Sequence, residues 1–283
     1  MSDDPRRPLV LVAGAWLGAW AWRSVADRLR ALGSRDVYPV TLTGLADRVH
    51  LARPDVDLTT HVTDVVNLLD FEDLHDTVLV GHSYGGVVIT GAADRRPERV
   101  HAAVYVDTRP LPSRTAVADA QAPEARRRQQ QDVEQHGDGW RWPPVDRDTL
   151  LSGTFGSAAG LTDHHLALLA ERATPQPYAT FTTPLELTHD RPPRVRRVAV
   201  VCTGGGLDLA LLRALIAQGD PRVSVFADDW ELRELPTGHW PMLSTPDALA
   251  ALLHDVAATP HDPDDAHPRA ARRPGTVGGG RIG

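Results

Sequence analysis

The 283-residue chain contains no lysine; all 30 of its basic residues are arginine. That removes lysine as a nucleophile, a base or a Schiff-base former. With abundant Ala, Asp and Pro, it is the composition expected of a GC-rich bacterial genome. Cysteine is almost absent as well. Cys202 stands alone, so there is no internal disulfide framework. Its position in the apolar run 198–202 marks a buried, inert thiol. Positive charge is in deficit: the formal net charge of −7 leaves no basic face of the kind that holds nucleic acid. No apolar run approaches the roughly 20 residues of a membrane-spanning helix. The run 9–13 follows two arginines but passes directly into Trp-rich sequence with no small-residue cleavage site, so it reads as a strand and not as a signal peptide. What these exclusions leave is a cytoplasmic protein whose partner is a small molecule, with at most a second copy of itself and neither nucleic acid nor membrane.

What is present has an ordered layout. Short apolar runs at Leu9–Ala13, Asp36–Leu42, Thr77–Val80 and Val100–Val106 read as strands. Helical spacing marks Trp20–Leu32, which stops at Gly33, and Thr59–Asp70, where Thr59 offers a cap. It also marks Tyr84–Arg95, which Pro97 ends. Strand and helix alternate through residue 107, the pattern of a parallel sheet with crossover helices on both faces. The alternation then breaks. Thr108–Pro193 is polar and Pro-rich, with helical stretches near Pro123–Gln135 and Thr162–Arg172. So long a segment without structure of its own is improbable in a compact domain, so 108–193 reads as a lid inserted into a core made of 1–107 and 194–258. Alternation resumes with a strand at Val195–Cys202, a helix at Leu207–Ala217, a last strand at either Arg222–Phe226 or Trp230–Leu235, and a helix at Thr245–Ala258. From 259 to 283 the chain has almost no apolar residues and is expected to be disordered.

One run of this alternation carries chemistry. In VLVGHSYGGVVITG, Val78–Gly91, a strand is followed by Gly81-His82-Ser83-Tyr84-Gly85 and then a helix. That context gives Gly-x-Ser-x-Gly a mechanical meaning: a turn sharp enough to lift a serine above the sheet edge, with glycines where strand and helix must meet. Ser83 is the candidate nucleophile, and the N–H of Tyr84 a candidate oxyanion donor. A serine needs a base. His239, in LPTGHWPM between the last strand and the last helix, is where a histidine can return to the sheet edge. His82 is expected to pack or line the pocket floor. The chain order Ser, acid, His is expected, with the acid after the strand Val195–Cys202, which favours Asp208 in TGGGLDLALL, with Asp107 at the end of AAVYVD close behind. The loop after the first strand, AGAWLGAW, offers Gly14 for a tight backbone and the N–H of Ala15 as second oxyanion donor. Trp16 is expected in the pocket wall.

These stretches resemble the α/β-hydrolase superfamily, and within it the branch of plant methylesterases, hydroxynitrile lyases and their bacterial esterase-like relatives. The matching runs are LVAGAWLGAWAW, TLTGLADRVHL, DLTTHVTDVVNLLDFEDLHDTVLVGHSYGG, AAVYVDTRPLP, TPQPYATFTTPLEL and ELPTGHWPM. The resemblance implies an α/β fold with a mostly parallel sheet, helices on both faces and an inserted helical lid. It implies Ser83 as nucleophile, His239 as base, and the N–H groups of Ala15 and Tyr84 as oxyanion hole, with no metal or organic cofactor. The sequence departs from its relatives at Ala13 and Leu17, where they carry histidines, at Trp240, where bacterial relatives often carry aspartate, and around TGGGLD. These changes make the site mouth more apolar. Trp140, Trp142, Phe155, Tyr178 and Phe181 of the lid, with Trp240, suit an aromatic guest, or simply pack on the sheet. The expected activity is hydrolysis of small to medium apolar or aromatic carboxylic esters through an acyl-enzyme. The alternatives are a lyase, cyclase or rearrangement enzyme using Ser83 and His239 as acid and base, and a non-catalytic receptor on the same scaffold.

Overall fold

In strand β1 (Leu9–Val12) four consecutive apolar residues are all fully buried. A run apolar on both faces has to be covered on both. Leu9 and Leu11 pack with Trp22 and with Val25 and Leu29 of helix α1 (Arg23–Ala31), against Leu249 and Leu253 of the last helix. Val10 and Val12 pack on the other face with Leu58, Val62 and Val65 of α2 (Leu58–Phe71) and Val88, Ile89 and Ala92 of α3 (Tyr84–Arg95). The computed structural model that shows this describes residues 7–189, 195–227 and 229–259.

Around β1 the sheet is built from β2 (Val37–Val40), β3 (Thr77–His82), β4 (Val100–Val106) and two later strands. After β4 the chain leaves the sheet through α4 (Pro123–His136), β5 (Arg141–Trp142), α5 (Arg147–Leu151), α6 (Asp163–Arg172), β6 (Gln176–Pro177) and α7 (Ala179–Thr182). β5 and β6 form a small antiparallel ribbon. The chain returns through β7 (Arg196–Cys202), α8 (Leu209–Ala217), β8 (Trp230–Leu235), α9 (Pro241–Ser244) and α10 (Pro246–Ala258). The sheet order is β2-β1-β3-β4-β7-β8, and every neighbouring pair is parallel. All the strands therefore end on the same side, where ligands bind in open α/β sheets.

Two local expectations are corrected and one open alternative is decided. The helix expected from Trp20 divides into a 3₁₀ turn, Ala19–Trp22, and α1. Thr59 does not cap α2. Asp57 does: its carboxylate accepts the Thr60 N–H at 2.9 Å, while the Thr60 hydroxyl faces back to the Asp57 N–H, closing a box on two otherwise unpaired donors. The last strand is Trp230–Leu235. Residues 222–226 turn instead, because the Asp220 carboxylate accepts the Arg222 N–H at 2.9 Å and Ser224–Phe226 winds into a 3₁₀ turn. Among the described residues, no helix is long and apolar enough to cross a membrane. The expectation of disorder over 259–283 lies, beyond Thr259, outside the described residues.

Candidate active site

Ser83 is the single residue between the end of β3 and the start of α3. Its backbone sits at φ +50°, ψ −122°, a conformation that side-chain-bearing residues avoid. The neighbours explain how it is held there. A Cβ on Gly81 would come within 2.5 Å of the Gly85 carbonyl oxygen, and one on Gly85 within 2.6 Å of the Val12 oxygen. Only glycine lets α3 start this close to β3 and β1. Tyr84 opens α3, so its N–H is one of the donors a helix leaves without an internal partner.

His239 follows β8 and opens on the same cavity as Ser83. Its Nδ1 meets Asp107 Oδ2 at 2.6 Å. Asp107 follows β4 at φ +48°, and its N–H still continues the ladder to the Val200 carbonyl at 2.8 Å. Its second carboxylate oxygen accepts the Cys202 N–H at 3.2 Å. The carboxylate is thus fixed by the neighbouring strand while facing the imidazole. Asp208, expected first for this place, is not there. It caps α8, its carboxylate accepting the Leu211 N–H at 2.8 Å. The sequence TGGGLD follows β7 with a turn that spends its acid on starting the next helix.

The loop of His239 is gripped by the inserted segment. The His239 N–H donates to the Ser157 carbonyl at 2.7 Å and the Gly238 N–H to the Ala159 carbonyl at 2.9 Å. Gly156 lies so close that a Cβ there would come within 2.6 Å of His239 Cβ. This grip was not foreseen. The only signal was the small-residue run Gly156-Ser157-Ala158-Ala159-Gly160, which by itself reads as a flexible loop. On the other side, His82 Nε2 donates to the His239 carbonyl at 2.7 Å. His82 is fully buried, and burial first, then the neighbouring His239, hold its pKa well below the ordinary histidine value. It is a neutral support under the His239 loop, as well as part of the cavity floor.

The cavity has a volume of about 270 Å³, at the small end for ligand sites. Gly14, Ala15, Trp16, His82, Ser83, Tyr84, His239 and Trp240 all line it, as does Leu17. One wall is aromatic: Trp16 lies 4.3 Å from Trp142 and 5.4 Å from Phe155 between ring centroids, and Trp142 lies 5.1 Å from Phe181. Trp140 is not part of it. It sits in the turn that closes α4, its N–H bonded to the Gly137 carbonyl, with the Arg141 guanidinium 5.0 Å from its ring. Tyr178 packs in the core behind the wall. Arg109, also on the lining, donates to the Arg222 carbonyl at 2.5 Å. Among the described residues no group of three or more His, Cys, Asp or Glu is placed to hold a metal ion. A half-buried serine and an imidazole backed by a carboxylate, on one cavity with an aromatic wall, form an arrangement suited to acyl transfer.

Comparison with known proteins agrees with that chemistry. Residues 9–252 match the model of the alpha/beta hydrolase family. A carbendazim-hydrolysing esterase of Nocardioides sp. (strain SG-4G) is 33% identical over 267 residues, covering 86% of this chain and 97% of that protein. Methylesterase 3 of Arabidopsis thaliana is 27% identical over 281 residues, covering 91% of this chain and 98% of that protein. Among solved structures, an extracellular alpha/beta-hydrolase from a Paenibacillus species superposes with a TM-score of 0.73 at 20% identity, over 88% of this chain and 98% of that one. The sheet, the serine turn and these matches along most of the sequence lead to one conclusion: the chain belongs to the alpha/beta hydrolase family.

Proposed function

We propose that the protein is a carboxylic ester hydrolase in which Ser83, His239 and Asp107 act as nucleophile, base and orienting acid. The observation that carries this reading is the Asp107–His239 contact of 2.6 Å beside a serine held at φ +50° on the same cavity. His239 takes the Ser83 proton as the hydroxyl attacks the ester carbonyl. Asp107 holds Nδ1 protonated, which leaves Nε2 as the accepting nitrogen, and stabilises the imidazolium that forms. The N–H groups of Ala15 and Tyr84 receive the oxyanion. Collapse releases the alcohol and leaves an acyl group on Ser83, and water activated by the same imidazole clears it.

The cavity limits the substrate. Its size admits a small to medium ester, and the wall of Trp16, Trp142, Phe155 and Phe181 suits an apolar or aromatic acyl group. The relatives support the same class: one is named for hydrolysing carbendazim and another is a methylesterase. We place the enzyme in the cytoplasm of a bacterium, which cell fractionation checks.

The test is release of p-nitrophenol from short and medium p-nitrophenyl esters by wild type beside Ser83→Ala. Turnover in wild type with at least ~10³-fold loss in the variant is expected. Equal rates in the two proteins would overturn the assignment of Ser83. A lyase or cyclase activity that survives Ser83→Ala would favour a reaction on the same scaffold that needs no acyl-enzyme.

A further inference from the structure

Trp16 has φ +65°, in the left-handed region that a bulky residue adopts only when its surroundings enforce it. Two residues of the inserted segment do so. The Trp16 carbonyl accepts the Thr174 N–H at 3.0 Å, and the Trp16 N–H donates to the side-chain carbonyl of Gln176 at 3.0 Å. Gln176 is completely buried, and its amide nitrogen donates to Thr180 Oγ1 at 2.9 Å. Thr180, also completely buried, gives its own proton to the Pro177 carbonyl at 2.6 Å. The orientation of the amide is therefore determined. The Trp16 N–H needs an acceptor and Thr180 Oγ1 needs a donor, and only an amide with its oxygen towards Trp16 satisfies both. Neither an apolar side chain nor the shorter asparagine can do this from the same backbone position.

We propose that Gln176 is a positioning residue that holds the oxyanion loop in its working geometry. The inference rests on the reading of Ala15 and Tyr84 as oxyanion donors. The Ala15 N–H lies in the Gly14–Ala15 peptide and the anchored Trp16 N–H in the next one, so holding Trp16 at both its N–H and its carbonyl restrains the loop one residue beyond the donor. The second donor is tied to the same cluster: the Thr180 hydroxyl abuts the Tyr84 hydroxyl, which donates to His61 Nδ1 at 2.8 Å. His61 Nε2 in turn donates to the Thr43 carbonyl at 2.8 Å, which makes Nδ1 the acceptor. The Gln176 amide thus joins the loop of the first donor to Thr180, and Thr180, its proton given to Pro177, meets the side chain of Tyr84 by packing. Oxyanion donors act only when placed near 2.7–3.1 Å from the developing charge, so their support is felt in the transition state and little in substrate binding.

The experiment compares wild type with Gln176→Met, which keeps the length and loses both amide bonds, and Thr180→Val, which removes the anchor of the amide. Three quantities are read: kcat and KM for a p-nitrophenyl ester, and the inhibition constant of a trifluoromethyl ketone, which forms a tetrahedral adduct on Ser83. For Gln176→Met, kcat is expected to fall about 10–100-fold with KM within about threefold, and the inhibitor to weaken by a similar factor. Thr180→Val is expected to lose about 3–10-fold in the same two quantities, and it serves alone if Gln176→Met does not fold. Wild-type kcat and inhibitor affinity in the folded variants, or a loss confined to KM, overturn the proposal. Wild-type turnover that survives Ser83→Ala instead overturns the serine mechanism on which it rests, so the two failures are distinguished.

Discussion

At the scale of single residues, the site was legible where chemistry is local and not where it depends on how strands meet. Ser83 could be read because its glycines, the preceding strand and the following helix are adjacent in sequence. His239 could be read from its place between the last strand and helix. The acid could not. Asp107 and Asp208 both follow strands of the sheet, and both fall between Ser83 and His239 in the chain. The decision belongs to the β4–β7 pairing, which brings the Cys202 N–H to Asp107 and leaves the Asp107 carboxylate facing His239. The two acids therefore separate by experiment. Asp107→Asn is expected to lower kcat by about 10²–10⁴-fold, since the amide favours the wrong imidazole tautomer. Asp208→Asn is expected to leave kcat within twofold. Asp208→Ala is expected to cost about 1 kcal/mol of stability through the lost helix cap, read by urea denaturation. The reverse pattern would return the role to Asp208.

At the scale of elements, α3 and β4 were readable to the residue because their ends are chemically marked, by the elbow glycines and by Pro97. The strands of the core, apolar on both faces, could be identified as buried by the same token. The small pieces of the inserted segment were not readable. β5 and β6 have two residues each and α7 has four, too short for any periodicity. They exist because tertiary contacts make them: β6 carries Gln176 to Trp16, and residues 157–159 reach the backbone of the His239 loop. The insertion is in this sense part of the site's frame. Thr174 and Gln176 attach it to the loop after β1, and Ser157 and Ala159 to the loop after β8.

At the scale of the whole molecule, the price of this frame is the burial of neutral histidines. Burial lowers the pKa of His61 to about 4, against about 6.5 in an exposed chain, and holds His82 well below the ordinary value. Between those values the unfolded chain binds protons that the folded protein does not. Stability is therefore fullest above about pH 6.5 and is lost as the pH falls towards 4. The slope is up to about 1.4 kcal/mol per pH unit for each of the two histidines. Urea denaturation at pH steps from 7.5 to 5 checks this, and a flat profile would show that neither ring stays neutral in the fold as the pH falls.

The account rests most heavily on covalent chemistry at Ser83, and the direct measurement is the intact mass of the protein quenched during turnover of a p-nitrophenyl ester, followed by peptide mapping. It predicts a mass gain of one acyl group, on Ser83, formed with a burst of p-nitrophenol of about one equivalent per active site. Steady turnover with no burst and no adduct, in wild type and in an Asp107→Asn variant slowed at both steps, would contradict it.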